Sequence, residues 1–125
     1  MKKLIALFLS VCAASVMAAE YPDISIEDLK SAIKDGKVTV IDVNGTGSYE
    51  KRGHIPGAID FQASADALAS KLPSDKGALV VAYCGGPQCS AYKKAANKAA
   101  ELGYTNVKHL SAGISGWESA GEKME

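Results

Sequence analysis

ALVVAYCGGPQCS, residues 78–90, holds the reading that decides the fold. Ala78 to Tyr83 is apolar throughout, as a strand buried on both faces of a sheet is. Cys84 follows directly, then Gly85, Gly86, Pro87 and Gln88, then a second cysteine at position 89. From Ser90 to Leu102 the pattern becomes helical, with Ala91, Ala95, Ala99 and Leu102 on the buried face and Gly103 as the stop. Strand, glycine loop and helix in that order place Cys84 beyond the carboxyl end of a strand. In parallel α/β sheets that is where ligands bind.

Reading outward, the same alternation recurs. Ser25 starts a helix, with Asp28 three residues later as a capping box; Ile26, Leu29 and Ile33 form its apolar face and Gly36 ends it. Val38 to Val43 reads as a strand, Asn44 to Gly57 as a polar, glycine-bearing connection, and Ala58 to Phe61 as a short strand. Ser64 to Leu72 is expected to be helical, with Ala65, Leu68, Ala69 and Leu72 on one side. Val107 to Leu110 reads as the last strand and Ile114 to Ala120 as a short helix. Strands alternating with helices imply an α/β fold with a parallel sheet and helices on both sides.

The loop itself is suited to an anion. Gly85 and Gly86 carry no side chain to block an approach, and the following helix adds unpaired N–H groups and the positive end of its dipole. A cysteine beside such amides has its thiolate stabilised, and the thiolate is the reactive form. Ser90 is expected as the N-cap of that helix. The plainer reading is a buried strand-end cysteine followed by a tight turn. The combination of position, glycines, helix and second thiol argues against it.

Bulk properties bound the rest. The chain has 125 residues, enough for one core, with 47% apolar and 22% charged residues and a formal net charge of zero. Nothing in that balance points to nucleic acid. Lys2 and Lys3, the apolar run from Leu4 to Val16, and Val16-Met17-Ala18 read as a secretory signal peptide over residues 1–18, leaving a domain of residues 19–125. The run is shorter than the roughly 20 residues of a membrane span. A lipoprotein reading at Cys12 would put the bulky Val11 where a small residue belongs. Loss of the leader leaves Cys84 and Cys89 as the two cysteines. Export, expected to the periplasm, places them where a disulfide persists.

Two stretches resemble the rhodanese family of sulfurtransferases. One is Asp42-Val43-Asn44, Tyr49 and Gly53-His54-Ile55-Pro56-Gly57-Ala58; the other is the loop from Cys84 to Ser90. The resemblance implies a five-stranded parallel sheet flanked by helices on both faces. It also implies transfer of a sulfane sulfur from a small donor, through a persulfide on Cys84, to a thiol or other acceptor. Cys84 matches the nucleophile, and Gly85, Gly86, Gln88, Cys89 and Ser90 fall where the anion is held; Pro87 has no N–H to give. The chain departs from the family at Cys89, where arginine is frequent, at Asn44 and Ser48, where arginine and glutamate are common, and by one extra residue between Tyr49 and Gly53. The missing arginine weakens the case for thiosulfate as donor. Phosphatase-type loops are one residue longer and end in arginine, where this chain has Ser90.

Cys89 divides the functional readings. A curled loop can bring it within the roughly 4.4–6.8 Å Cα separation of a disulfide, as a resolving thiol for Cys84, or it can be a small packed residue. The readings are an exported sulfurtransferase, a thiol-redox or sulfur-carrier protein cycling a Cys84–Cys89 disulfide, and a non-catalytic module. Expected partners are a small sulfur-containing donor and a thiol acceptor, with a thiol-redox protein as a third. No nucleic acid, no membrane after leader removal, no cofactor and no metal are expected. Elsewhere, His54 reads as packed, His109 as lacking ligand-spaced neighbours, and Trp117 as a core cover. Asp42 reads as a loop hydrogen-bonder, and Lys93, Lys94 and Lys98 as a solvated face able to steer anions.

Overall fold

The computed structural model describes residues 21–125, so the leader reading, with Cys12, lies outside the described residues. Ser25 caps the first helix, α1 (Ile26–Lys34), accepting a hydrogen bond from the Asp28 amide at 3.0 Å. Leu29 is its fully buried residue, and Gly36 leaves the helix with φ +68°. Strand β1 (Val38–Asp42) leads to a short helix α2 (Thr46–Lys51), then β2 (Ile59–Asp60). The segment expected as one helix from Ser64 to Leu72 is broken. It comprises α3 (Phe61–Ser64), a 3-10 turn (Ala65–Ala67) and α4 (Leu68–Lys71), and Leu68 and Leu72 are its buried residues. Strand β3 (Leu79–Tyr83), helix α5 (Tyr92–Glu101), strand β4 (Asn106–His109) and helix α6 (Gly113–Ser119) complete the order.

The sheet is parallel, in the order β2-β1-β3-β4. The expectation of five strands is corrected to four among the described residues. Where a fifth would lie there is a single parallel bridge between Asp23 and His109, because the chain turns into α1 two residues after Asp23. Alternation along β3 sorts its side chains by face. Val80, Ala82 and Cys84 join Ile41, Leu68 and the α5 face, whereas Val81 and Tyr83 join Leu29, Leu110, Ile114 and Trp117 under α1 and α6. Val80 and Val81 are both fully buried, each worth about 1.5–3 kcal/mol of transfer free energy. Alanines at 95, 96 and 99 let α5 lie close against its face. The chain reaches β2 from β1 through α2 and β4 from β3 through α5, on opposite faces. The carboxyl ends of β1 and β3 therefore diverge at a topological switch point, and a crevice opens there.

Candidate active site

Cys84 sits at that point, 1% exposed. The loop after it is held from α6: the amides of Ile114 and Ser115 donate to the carbonyls of Cys84 and Gly85 at 2.9 and 3.0 Å. This contact needs Gly113. Its φ is +64°, and a Cβ there would lie 2.5 Å from Gly85 C and 2.6 Å from Gly86 N. Gly85 and Gly86 themselves have ordinary φ. A Cβ on Gly85 would meet Asn44 Oδ1 at 3.9 Å and one on Gly86 would meet nothing within 4 Å. The strained glycine of the site is thus Gly113, which sequence reasoning missed. No local signal in Ser111-Ala112-Gly113 marks a contact with a loop so distant in sequence.

Cys84 and Cys89 are bridged, with sulfurs 2.09 Å and Cα atoms 6.3 Å apart. Cys89 is partly exposed, and, like Val43 and Phe61, it packs against the core cluster that contains Cys84. Its amide donates to Gly86 O at 3.1 Å, which withdraws it from the expected cradle. Among the described residues the amides of Gly85, Gly86, Gln88 and Ser90 donate to no protein group. Ser90 does not cap α5. The cap position is Ala91, without a side-chain bond, and Ser90 is exposed, its carbonyl accepting from Lys93 N at 3.0 Å. Two residues of non-helical chain after Cys89 carry the bridge before the helix begins.

Behind the loop lies a buried network. Tyr83 donates its hydroxyl to Asp42 Oδ2 at 2.6 Å, and the Tyr83 hydroxyl oxygen in turn accepts the Ile55 amide at 3.1 Å. Asp42 Oδ1 takes the Asn44 amide at 2.7 Å. The network ties the ends of β1 and β3 to the 53–58 turn. Burial pushes the Asp42 carboxyl above its ordinary pKa, against the lowering effect of its hydrogen bonds, and burial together with Asp42 holds the Tyr83 phenol protonated. Asp42 is therefore positioned as structural anchor, as its strand-end place suggested. His54 is packed: its Nδ1 lies 3.0 Å from Tyr49 O and its ring stacks on Tyr49 at 3.6 Å. Burial lowers the pKa of His109, which stacks on Tyr92 at 3.4 Å with Nε2 buried and unpartnered among the described residues. Trp117 is buried in the core. Lys93, Lys94 and Lys98 are exposed. No cluster of three metal-ligating side chains occurs among the described residues.

A cavity of about 410 Å³ lies between the chain leaving β1 (Val43, Asn44, Gly45), the start of α3 (Phe61, Gln62) with Ala65, and Lys94 of α5; it is lined by no loop residue but reaches the loop through Asn44, whose Oδ1 faces Gly85. A larger groove of about 550 Å³ runs between α1 and the C-terminal segment, past Pro56 and Trp117, and includes no residue of the loop.

This arrangement, a cysteine loop at the switch point backed by the Gly53–Ala58 turn, coincides with a family model for the rhodanese-like domain over residues 25–120. The chain belongs to the rhodanese-like domain family. Solved structures agree with this rhodanese-like fold. A Bacillus halodurans protein is 29% identical over 93% of this chain and 85% of its own, with TM-score 0.64. The rhodanese-like domain of an Anabaena protein is 26% identical over 85% of this chain and 80% of its own, also with TM-score 0.64. A human single-domain sulfurtransferase, 23% identical over 80% of this chain and 97% of its own, shares the fold with TM-score 0.60. No curated protein matches the chain. Among the described residues no helix is long and apolar enough to cross a membrane.

Proposed function

We propose that this rhodanese-like domain is an exported sulfurtransferase in which Cys84 carries a persulfide and Cys89 resolves or protects it. The observation that carries the reading is the loop: a buried strand-end cysteine, four amides free of protein partners, and a second cysteine within bridging range. The bridged form is the resting, oxidised state. An external thiolate attacks the sulfur of Cys89, the more exposed of the two residues, the Cys84–Cys89 bond breaks, and Cys84 leaves as a thiolate that the loop amides and the α5 dipole stabilise. A second external thiol then displaces the first from Cys89. Cys84 attacks the outer sulfur of a sulfane donor, whose own S–S bond breaks with the electron pair leaving on the donor remnant. An acceptor thiolate takes that outer sulfur and returns Cys84 as thiolate. Without an acceptor, Cys89 attacks the Cys84 sulfur instead, expels hydrosulfide and restores the bridge.

Because Cys89 stands where arginine is frequent in the family, the loop itself offers an anionic donor amides and no cation, and thiosulfate is expected to be a poor donor beside less charged ones. The bridge also supports a second reading, a thiol-redox or sulfur-carrier protein whose partner is a redox protein. Intact mass of the reduced protein before and after a sulfane donor separates them. Gain of one sulfur atom supports transfer through a persulfide. Direct return to the mass lacking two hydrogens, with no sulfur-bearing species at any time, supports the redox reading.

A further inference from the structure

We propose that the cavity walled by Val43, Asn44, Phe61, Gln62 and Lys94 selects the sulfur acceptor, a small organic thiol bearing a carboxylate, and that Lys94 reads its charge. This rests on the sulfur-transfer reading above. The cavity lies on the β1 side of the switch point. Asn44, one of its walls, stands against Gly85, the residue after Cys84, and Val43 and Phe61 pack, as Cys89 also does, against the core cluster that holds Cys84. Asn44 is the wall that joins the cavity to the loop, and an acceptor thiol seated there would approach Cys84 past it.

Size and chemistry define the occupant. About 410 Å³ falls in the range of pockets for organic ligands, roughly 300–1,000 Å³, and exceeds what an inorganic sulfur oxyanion fills. Val43, Phe61 and Ala65 offer a carbon chain an apolar wall. The polar side chains include donors without acceptors: Asn44 Nδ2 is buried with no partner among the described residues. Lys94 has no ion pair among the described residues, and Gln62 spends its oxygen on the Thr46 amide at 2.7 Å, which leaves its NH₂ group to give. No carboxylate lines the cavity. An apolar stem ending in an acceptor-rich, singly negative group complements these walls. A cationic thiol meets Lys94 with the wrong sign.

Persulfide-loaded protein is mixed with 3-mercaptopropionate, 2-mercaptoethanol and cysteamine, thiols of similar size and different charge, and the transfer rate constants are compared across variants. Intrinsic thiol reactivity cancels in the ratio between wild type and variant. Lys94→Gln is expected to lower the mercaptopropionate-to-mercaptoethanol ratio about two- to fivefold, the range of an exposed ion pair, and the difference should shrink with added salt. Lys94→Glu should lower it further and raise the relative rate of cysteamine. Lys98→Glu, the same charge change one turn along α5, should change the ratio less. A ratio untouched by Lys94→Glu, or shifted equally by Lys98→Glu, overturns the proposal. Loading is followed separately by mass, so a protein that never gains sulfur refutes the transfer reading and not the cavity. In that event binding of the unreactive thioether 3-(methylthio)propionate still decides. Shifts of the Asn44 and Gln62 amide resonances that Lys94→Glu abolishes support the cavity, and their absence in wild type overturns it.

Discussion

Gly113→Ala tests how the loop is held. The new Cβ would stand 2.5 Å from the carbon and oxygen of Gly85 and 2.6 Å from Gly86 N, all backbone atoms, so no side-chain rotation relieves the overlap. Alanine at φ +64° also occupies a left-handed conformation, which costs roughly 1–2 kcal/mol. Forcing a methyl into a packed site costs roughly a further 1–3 kcal/mol. If the loop retreats, the bonds from Ile114 and Ser115 to Cys84 and Gly85 lengthen too. The total, about 2–5 kcal/mol, corresponds to a fall in Tm of at least about 10 °C for a domain of this size. Thermal unfolding by circular dichroism reads the stability, and mass spectrometry after a sulfane donor reads the loop. Gly86→Ala is the control, since its Cβ meets nothing within 4 Å and its Tm should stay at the wild-type value. A Gly113→Ala protein with wild-type Tm and wild-type loading would refute the reasoning.

Tyr83→Phe removes a buried donor from Asp42 and the acceptor of the Ile55 amide; a loss of about 2–4 kcal/mol in urea unfolding is expected, and less than about 1 kcal/mol would sink the structural role of the network. Burial lowers the pKa of His109, so between that lowered value and about 6.5 the unfolded chain binds more protons than the folded one. Stability should therefore be full above pH 6.5 and decline as pH falls through that window, with His109→Phe flattening the slope; equal slopes in both proteins would contradict this. A monothiol added in limiting amount to the bridged protein should be found by peptide mapping on Cys89, the more exposed residue, with Cys84 free. An adduct mainly on Cys84 would reverse the proposed order of exchange.

Much of the fold is legible because it rests on local signals. The apolar run ending at Tyr83, the Ser25–Asp28 cap and the alanine face of α5 each encode burial or capping within a few residues. Readings that failed did so where tertiary contacts override local preference. Thr46–Lys51 contains Gly47 and Ser48 and reads as loop, yet it is helical, anchored by the Tyr49 hydroxyl on Ala58 O at 2.5 Å. The stretch after Phe61 breaks into short turns because its burial falls on Leu68 and Leu72 alone, too little to hold one straight helix. Within the site, Cys84 and its loop are visible by position. The Asp42–Tyr83 bond, 41 residues apart in sequence, and the Gly113 contact join elements that no window of sequence brings together.

Where a transferred sulfur comes to rest tests the central claim most directly. The reduced chain is exposed to a sulfane donor, trapped with an alkylating agent and mapped by tandem mass spectrometry. The account predicts one added sulfur on Cys84, absent from Cys84→Ser and longer-lived in Cys89→Ala. Sulfur found on Cys89, or loading retained by Cys84→Ser, would contradict it.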